Sequence, residues 1–497
     1  MSLSRRAILA LTLSLSLAPA ALAAPKDSLT IGMQQEPSSL DPTADATASI
    51  ATIMNGNVYE TLLTIDRDGG IAPGVAKSWT VSDDGLTYTF KLEPGHRFSD
   101  GTQVDANMVK FSFDRSIQAN STNPRRSDVK FIDSVEAPDL ETVVFHLKEP
   151  DGFLLFTLTQ APFIIVAPGS ADTNATQPVG SGPYKLKQWV RGDRLVLALD
   201  DSNPQAQKAK LREVTYKFVP DPAAAAAGLL AGDLDAYPGF PSPESLVQFE
   251  NDPRFDVSVG TTEGEVVLVL NNGKKPFDDL RVRRAINHLI DRQAVVEGAM
   301  FGYGTPIGSF FPPTHPAYVD LTGRYPHDVA AAKALLAEAG YPDGFEVKLE
   351  VPPFPYARRS GEIIAQQLAD GGIKVDYKVV EWPYWIGEIY KNGQYDMTIV
   401  AFTSANDIGN FARGPSYFYH YDNPDFDALY TKIRQEGDLQ KQYDLLREAQ
   451  KMIAEEAVHG FLFQLPQLGI WPKDLAGYWT SSPGNANAPL KDLYWKQ

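Results

Sequence analysis

The chain of 497 residues contains no cysteine. Disulfides, thiolate metal sites, cysteine nucleophiles and a lipid-modified cysteine near the N-terminus are therefore excluded. Long apolar runs are equally scarce, and none reaches the ~20 residues that a membrane-spanning helix needs. The spacings that carry catalysis or metal binding are missing as well: there is no G-x-S-x-G elbow, H-E-x-x-H pair, Walker glycine loop or EF-hand. The seven histidines, His96, His146, His288, His315, His327, His420 and His459, are scattered, and none pairs with another at metal-ligand spacing. These absences predict no metal, no cofactor and no catalytic residue, and they give a secreted hydrolase no support.

Positive charge is in deficit too. The first residues, "MSLSRRAILALTLSLSLAPAALAA", read as an export leader with Arg5 and Arg6 ahead of an apolar stretch and an A-x-A site at Ala21–Ala23. Cleavage after Ala23 is expected, by the Sec or the twin-arginine route. Without the leader's two arginines, 43 basic residues face 62 acidic ones, a balance of −19. Such a surface repels phosphate backbones and anionic lipid, so nucleic acid is not an expected partner. A soluble monomer in the periplasm is the reading that remains.

What is present divides the chain in two. The first half is rich in strand and turn signals: "SWTVSDDGLTYTFKLEPG" alternates around Asp84-Gly85, and "YKLKQWVRGDRLVLALD" around Gly192-Asp193. Between them a helix with Asp105 as cap is expected over "DANMVKFSFDRSI". From about Pro276 helices and strands alternate. Asp278 or Asp279 caps one helix, Gly340 ends another, and further helices are expected from about Gly361 to Asp370 and from Trp382 to Lys391. That order describes an α/β lobe with a largely parallel sheet. Two dissimilar lobes imply a cleft, and clefts between domains are preferred ligand sites. With no reaction centre in view, binding is the economical function.

Five segments in order, "LTIGMQQEPSSLDPT", "KLEPGHRFSDGTQVDANMVKFSFDR", "VGSGPYKLKQW", "NNGKKPFDDLRVRRAINHLIDRQAVV" and "AAKALLAEAGYPDGFEVKLEV", resemble the extracytoplasmic solute-binding proteins of the dipeptide, oligopeptide and nickel importers, family 5. The resemblance implies a two-lobed venus-flytrap fold of α/β class with an extra β-rich subdomain in lobe one. It also implies a role in transport: a small-molecule ligand is delivered to an inner-membrane ABC permease driven by a cytoplasmic ATPase. The corresponding division is lobe one over residues 24–60 and 179–269, the β-rich subdomain over 61–178, lobe two over 270–465, and a return to lobe one over 466–497. The hinge is expected near Val267 to Asn271 and Gln464 to Gln467.

The resemblance also nominates a site. In peptide-binding members an aspartate just after the strand matching Met397 to Phe402 accepts the ligand's amino terminus, and the matching residue here is Asp407. The family's proline after that aspartate is replaced by Ile408 and its tryptophan before the loop by Phe402, so a sugar, an opine-like conjugate or a metal chelate stays open as ligand beside a peptide or peptide-like amino compound. Nickel itself has little to hold it, since only His420 lies near the loop. Asp407 also fits a plain helix cap or Asx turn. Arg358 and Arg359, in "PPFPYARRSGE", are candidates for a ligand carboxylate because the guanidinium fork matches it. Trp382 and Tyr384 are candidate cleft aromatics, whereas Trp385 and Ile389 share a helical face that suits core packing. Glu36 and Ser38, in "EPSSLDP", are expected to face the cleft from lobe one.

Overall fold

The computed structural model describes residues 26–45, 47–483 and 487–496. The leader and the Ala23 cleavage point lie outside them. No helix among the described residues is long and apolar enough to cross a membrane.

Three main sheets organise the chain. In the first lobe, strand Ser28–Met33 runs parallel to Glu213–Phe218, which pairs in antiparallel fashion with Arg194–Leu199 and through it with Tyr184–Val190. The last two strands form the expected hairpin, and Gly192 takes the left-handed conformation that its tight turn requires (φ 75°). The second sheet, Ala76–Val81, Thr87–Leu92, Thr142–Leu147 and Ile132–Asp139, is antiparallel throughout. It is covered by helix Ala106–Ile117, whose cap Asp105 accepts from the Asn107 and Met108 N–H groups. Val109 and Phe113 on that helix enter the same core as Phe90 and Phe145, giving the β-rich subdomain its own hydrophobic centre.

The third sheet carries the second lobe, and its largely parallel character is not what the structure contains. Only Glu346–Val351, Lys374–Val379 and Met397–Phe402 run parallel. The other long members, Phe255–Leu270 and His459–Pro472, are antiparallel to each other, and the first is antiparallel to Met397–Phe402. The reason is topological: the chain enters the lobe along one of these strands and leaves along the other, so they must run in opposite directions. Residues Val266 to Leu270 are fully buried on both faces. Val266, Leu268 and Leu270 pack with helices Leu280–Leu289, Arg292–Met300 and Pro355–Asp370, while Val267 and Val269 face Phe411, Tyr419 and helices Pro424–Gln435 and Leu439–Glu455. Helix Pro355–Asp370 also starts a turn and a half earlier than expected. Proline is at home in the first helical position, where no N–H is needed, so Arg358 and Arg359 lie within the helix and not ahead of it.

The two crossing strands pair along most of their length. Phe255–Thr261 lies against Pro466–Pro472, close to Tyr237 of the first lobe, and Glu265–Val269 lies against His459–Gln464 inside the second. Between the halves the register shifts, at Thr261 to Glu265. The C-terminal segment then returns to the first lobe, where Leu490 and Leu493 join Leu29 and Ile31 in one core and Trp495 Nε1 donates to the Ser28 carbonyl (2.9 Å).

Candidate functional site

Asp407 stands where the Met397–Phe402 strand ends and a 3₁₀ segment, Ala405–Ala412, begins. The C-terminal ends of strands in α/β sheets are where ligands are usually met. Its carboxylate lines a cavity of about 620 Å³ between the β-rich subdomain and the second lobe. Phe402, Trp382, Trp385, Tyr390 and Tyr417 supply the second-lobe wall, and Arg125, Asp128, Lys130 and Phe131 face them from the subdomain. A short helical turn, Trp382–Tyr384, runs into a π-helix over Trp385–Lys391, an irregularity that often marks a functional site. Here the irregular stretch carries a stack of rings, with Trp382 and Trp385 5.0 Å apart and Trp385 and Tyr390 6.0 Å apart.

Charge in this cavity is partly matched. Arg125 Nε donates to Asp128 Oδ2 at 2.7 Å, whereas its Nη1 reaches Asp407 Oδ1 only at 3.5 Å, the outer limit of a hydrogen bond. The Asp407 side chain is 13% exposed. Burial raises its pKa, Arg125 opposes the rise, and the nearby Asp128 adds to it. Lys130 and Arg413 also line the cavity and form no ion pair with a described residue; the Arg413 guanidinium lies over the Tyr417 ring at 4.1 Å.

At one end the cavity is spanned by a buried ion pair: Arg434 of the second lobe meets Asp151 of the subdomain at 2.8 Å, with side chains 15% and 3% exposed. The Arg434 guanidinium covers the Phe131 ring at 3.4 Å, and the Gly152 N–H donates to the Arg434 carbonyl at 2.6 Å. On the far side of the cleft Arg359 makes a two-pronged contact with Glu244 of the first lobe, at 2.5 and 3.0 Å. Together with the longer Arg125–Asp407 contact, these arginine–carboxylate pairs join the lobes at three places.

Of the residues nominated from sequence, the structure brings Asp407, Phe402 and Trp382 to one cavity. Arg359 is held by Glu244, and neither Arg358 nor Tyr384 lines that cavity; both are exposed. Glu36 accepts from Trp189 Nε1 (3.0 Å) and the Gly192 N–H (2.9 Å), bracing the hairpin of its own lobe, and Ser38 donates to Asp45. Trp385 is buried, donates to Thr398 Oγ1 (2.9 Å), and still contributes to the cavity wall. Sequence reasoning missed Arg125, Asp128, Asp151 and Arg434. The charge-dense "NPRRSDVK" was the available signal for the first two, and nothing local distinguishes the other two. Among the described residues no group of three or more His, Asp or Glu is placed to hold a metal.

Comparison with known proteins agrees with this architecture. The chain is 29% identical to the glutathione-binding protein GsiB of Salmonella paratyphi A, over 95% of each sequence. Among solved structures, it superposes with a TM-score of 0.86 on the periplasmic binding protein DppA of Helicobacter pylori, in complex with the peptide STSA, at 25% identity over 95% of this chain and 99% of that one. The corresponding values for AgaA of A. tumefaciens R10, in complex with agropinic acid, are 0.85, 26%, 95% and 99%. Residues 70–428, well over half of the chain, match the profile of the family. The chain belongs to the bacterial extracellular solute-binding proteins, family 5.

Proposed function

We propose that this protein is the periplasmic binding component of an ABC importer and that it captures a short peptide or peptide-like amino compound, with Asp407 accepting the ammonium group. The observation that carries the reading is the state of that carboxylate. It is 13% exposed and paired with Arg125 only at the limit of hydrogen bonding, and burial raises its pKa against the pull of Arg125. An incoming ammonium supplies the missing donor, and such a charge-assisted contact contributes about 1.5–3 kcal/mol. Lys130 and Arg413, free of carboxylate partners among the described residues, suit the acidic groups of the same ligand. Phe402 and Trp382 supply apolar surface around it.

Closure about the register shift at Thr261–Glu265 brings the subdomain turn carrying Arg125 onto Asp407 and excludes water, which strengthens every polar contact inside. The inner-membrane permease then needs only to discriminate the closed, loaded form from the open one. The relatives named for glutathione and crystallised with a peptide support the ligand class. Calorimetric titration with a mixed di- to pentapeptide library that includes glutathione tests it: heat is expected, and silence across the library removes the peptide reading. The second reading, a sugar or opine-like conjugate on the same fold, is favoured by the agropinic acid complex of AgaA.

A further inference from the structure

An Asp-Gly pair commonly makes a turn in which the glycine takes a positive φ. Asp151-Gly152 does not, since Gly152 lies outside that region of φ, and an alanine can adopt the same backbone. What Gly152 lacks is room. A Cβ built on it would stand 2.6 Å from the Glu436 carbonyl oxygen and closer still to Gln442 Nε2. Both of those atoms belong to the second lobe, whereas Gly152 belongs to the β-rich subdomain. The glycine is therefore required by an interface between lobes and not by the fold of its own segment.

Its seat is the C-terminus of helix Pro424–Gln435. The last carbonyls of a helix have no partner within it. Here Glu436 leaves the helix in an extended conformation (φ −78°, ψ 117°), and two of those carbonyls are taken up from outside: Ile433 accepts from Gln442 Nε2 at 3.1 Å, and Arg434 accepts from the Gly152 N–H at 2.6 Å. The first donor lies in the same lobe; the second crosses the cleft. Asp151 fixes the crossing one. Its Oδ1 accepts from the Phe153 N–H at 3.1 Å, which holds the turn, while its Oδ2 meets the Arg434 guanidinium at 2.8 Å. Beside them the Phe153 and Tyr430 rings stack 6.4 Å apart. Asp151 and Phe153 line the Asp407 cavity, but Gly152 between them does not.

We infer that the Asp151-Gly152 turn is a latch that responds to closure and not to ligand chemistry, and that Gly152 is its positioning residue: by capping the helix across the cleft, it sets how long any ligand stays bound. The inference rests on the cavity being the ligand site and is independent of which ligand fills it. Gly152 does not line the cavity, so its contribution is the same for every occupant. The contact forms only once the lobes have met, so it slows release without assisting encounter. A single methyl group at this position separates the subdomain from the helix end, and the backbone hydrogen bond and the neighbouring ion pair are stretched together.

The test compares Gly152→Ala and Gly152→Val with the parent and with Gly169→Ala, a control in the same subdomain where an added Cβ meets nothing within 4 Å. Stopped-flow binding of glutathione and of trialanine is expected to show release about tenfold faster in Gly152→Ala and faster again in Gly152→Val. The factor should be the same for both ligands, with association unchanged or quicker and the control equal to the parent. Release unchanged in both variants, a loss confined to one ligand, or a loss carried by slower association overturns the inference. A second arm needs no ligand. Because the chain has no cysteine, spin labels attach only where Asp133→Cys on the subdomain and Lys432→Cys on the helix place them, both at exposed positions. Pulsed electron paramagnetic resonance of the unliganded protein is expected to find a smaller fraction at the short, closed separation in Gly152→Ala than in the parent. Equal fractions overturn the latch even when no peptide binds, whereas silence across the peptide library with a lowered fraction removes the peptide reading and leaves the latch standing.

Discussion

The two spaces between the lobes solve opposite problems. The Asp407 cavity holds charges that are already matched in pairs, Arg125 with Asp128 and Arg434 with Asp151, leaving two carboxylates, Asp407 and Asp427, and two cations, Lys130 and Arg413, without a close ion pair among the described residues. Among the described residues no charged side chain lines the neighbouring interlobe spaces of about 310 and 240 Å³, whose walls are neutral and largely apolar. A buried ion is tolerable only when it is paired, whereas an orphan hydroxyl costs far less. The first cavity can therefore select for charge because neighbouring arginines hold its acids in place, whereas the second offers only neutral contacts.

Several substitutions break or sharpen this contrast. The largest effect belongs to the buried pair at the cavity's end. Arg434→Gln leaves Asp151 buried and unpaired in the closed form, a loss of about 3–5 kcal/mol for such pairs. Since opening rehydrates Asp151, the cost falls on closure: ligand affinity drops by about two to three orders of magnitude, and small-angle scattering shows a larger radius of gyration in saturating ligand. Asp151→Asn in the same chain restores part of the affinity, as a double-mutant cycle would record.

Glu265 lies on the crossing strand between the two spaces, three residues beyond Thr262 of the uncharged one. It is fully buried, and neither carboxylate oxygen has a hydrogen-bond partner. Burial, then Glu263 and Asp407, raise its pKa well above the ordinary 4.5. The folded protein keeps a proton that the unfolded chain releases, so this stabilisation is complete below about pH 4.5 and is lost as pH rises through the folded value. Glu265→Gln is accordingly expected to melt several degrees higher than the parent, with a gap that widens between pH 5 and pH 8; thermal denaturation across that range checks it. His459 acts in the other direction. Burial lowers its pKa to about 3, so its contribution is present above about pH 6.5 and lost on acidification, and His459→Phe flattens the acid limb of the same curve.

The smallest effect is expected at the Arg359–Glu244 contact. Its side chains are 27% and 34% exposed, and pairs of that kind are commonly worth about 0.2–1 kcal/mol. Arg359→Gln should weaken binding by no more than about fivefold. A loss as large as that of Arg434→Gln would mean that Arg359 touches the ligand, as its sequence context suggested.

What was legible in the sequence was local. Asp105 and Asp279 cap the helices that follow them, Gly192 and Gly85 turn their hairpins, and Gly340 takes a left-handed conformation just past its helix. Each of these is decided by chemistry within a few residues. Asp407 and Phe402, nominated by family resemblance at the end of a strand, line one cavity. Asp151 and Arg434 were not legible, because nothing in two segments 283 residues apart announces that they meet. The sheet departs from the expected parallel order for a related reason: alternating helices and strands suggest parallel crossovers, but two of its strands are the chain's way in and out of the lobe. Helix Pro355–Asp370 begins earlier than the expected Gly361 because proline suits the first helical position, where no N–H is needed.

The central claim, that Asp407 receives an ammonium group, is tested most directly by a calorimetric cycle of two proteins and two ligands: the parent and Asp407→Asn, each titrated with the tightest-binding peptide and its N-acetylated form. Acetylation removes the ammonium, so the parent should lose at least tenfold in affinity while Asp407→Asn shows little difference between the two peptides. Equal losses in both proteins, or no loss in the parent, would contradict it.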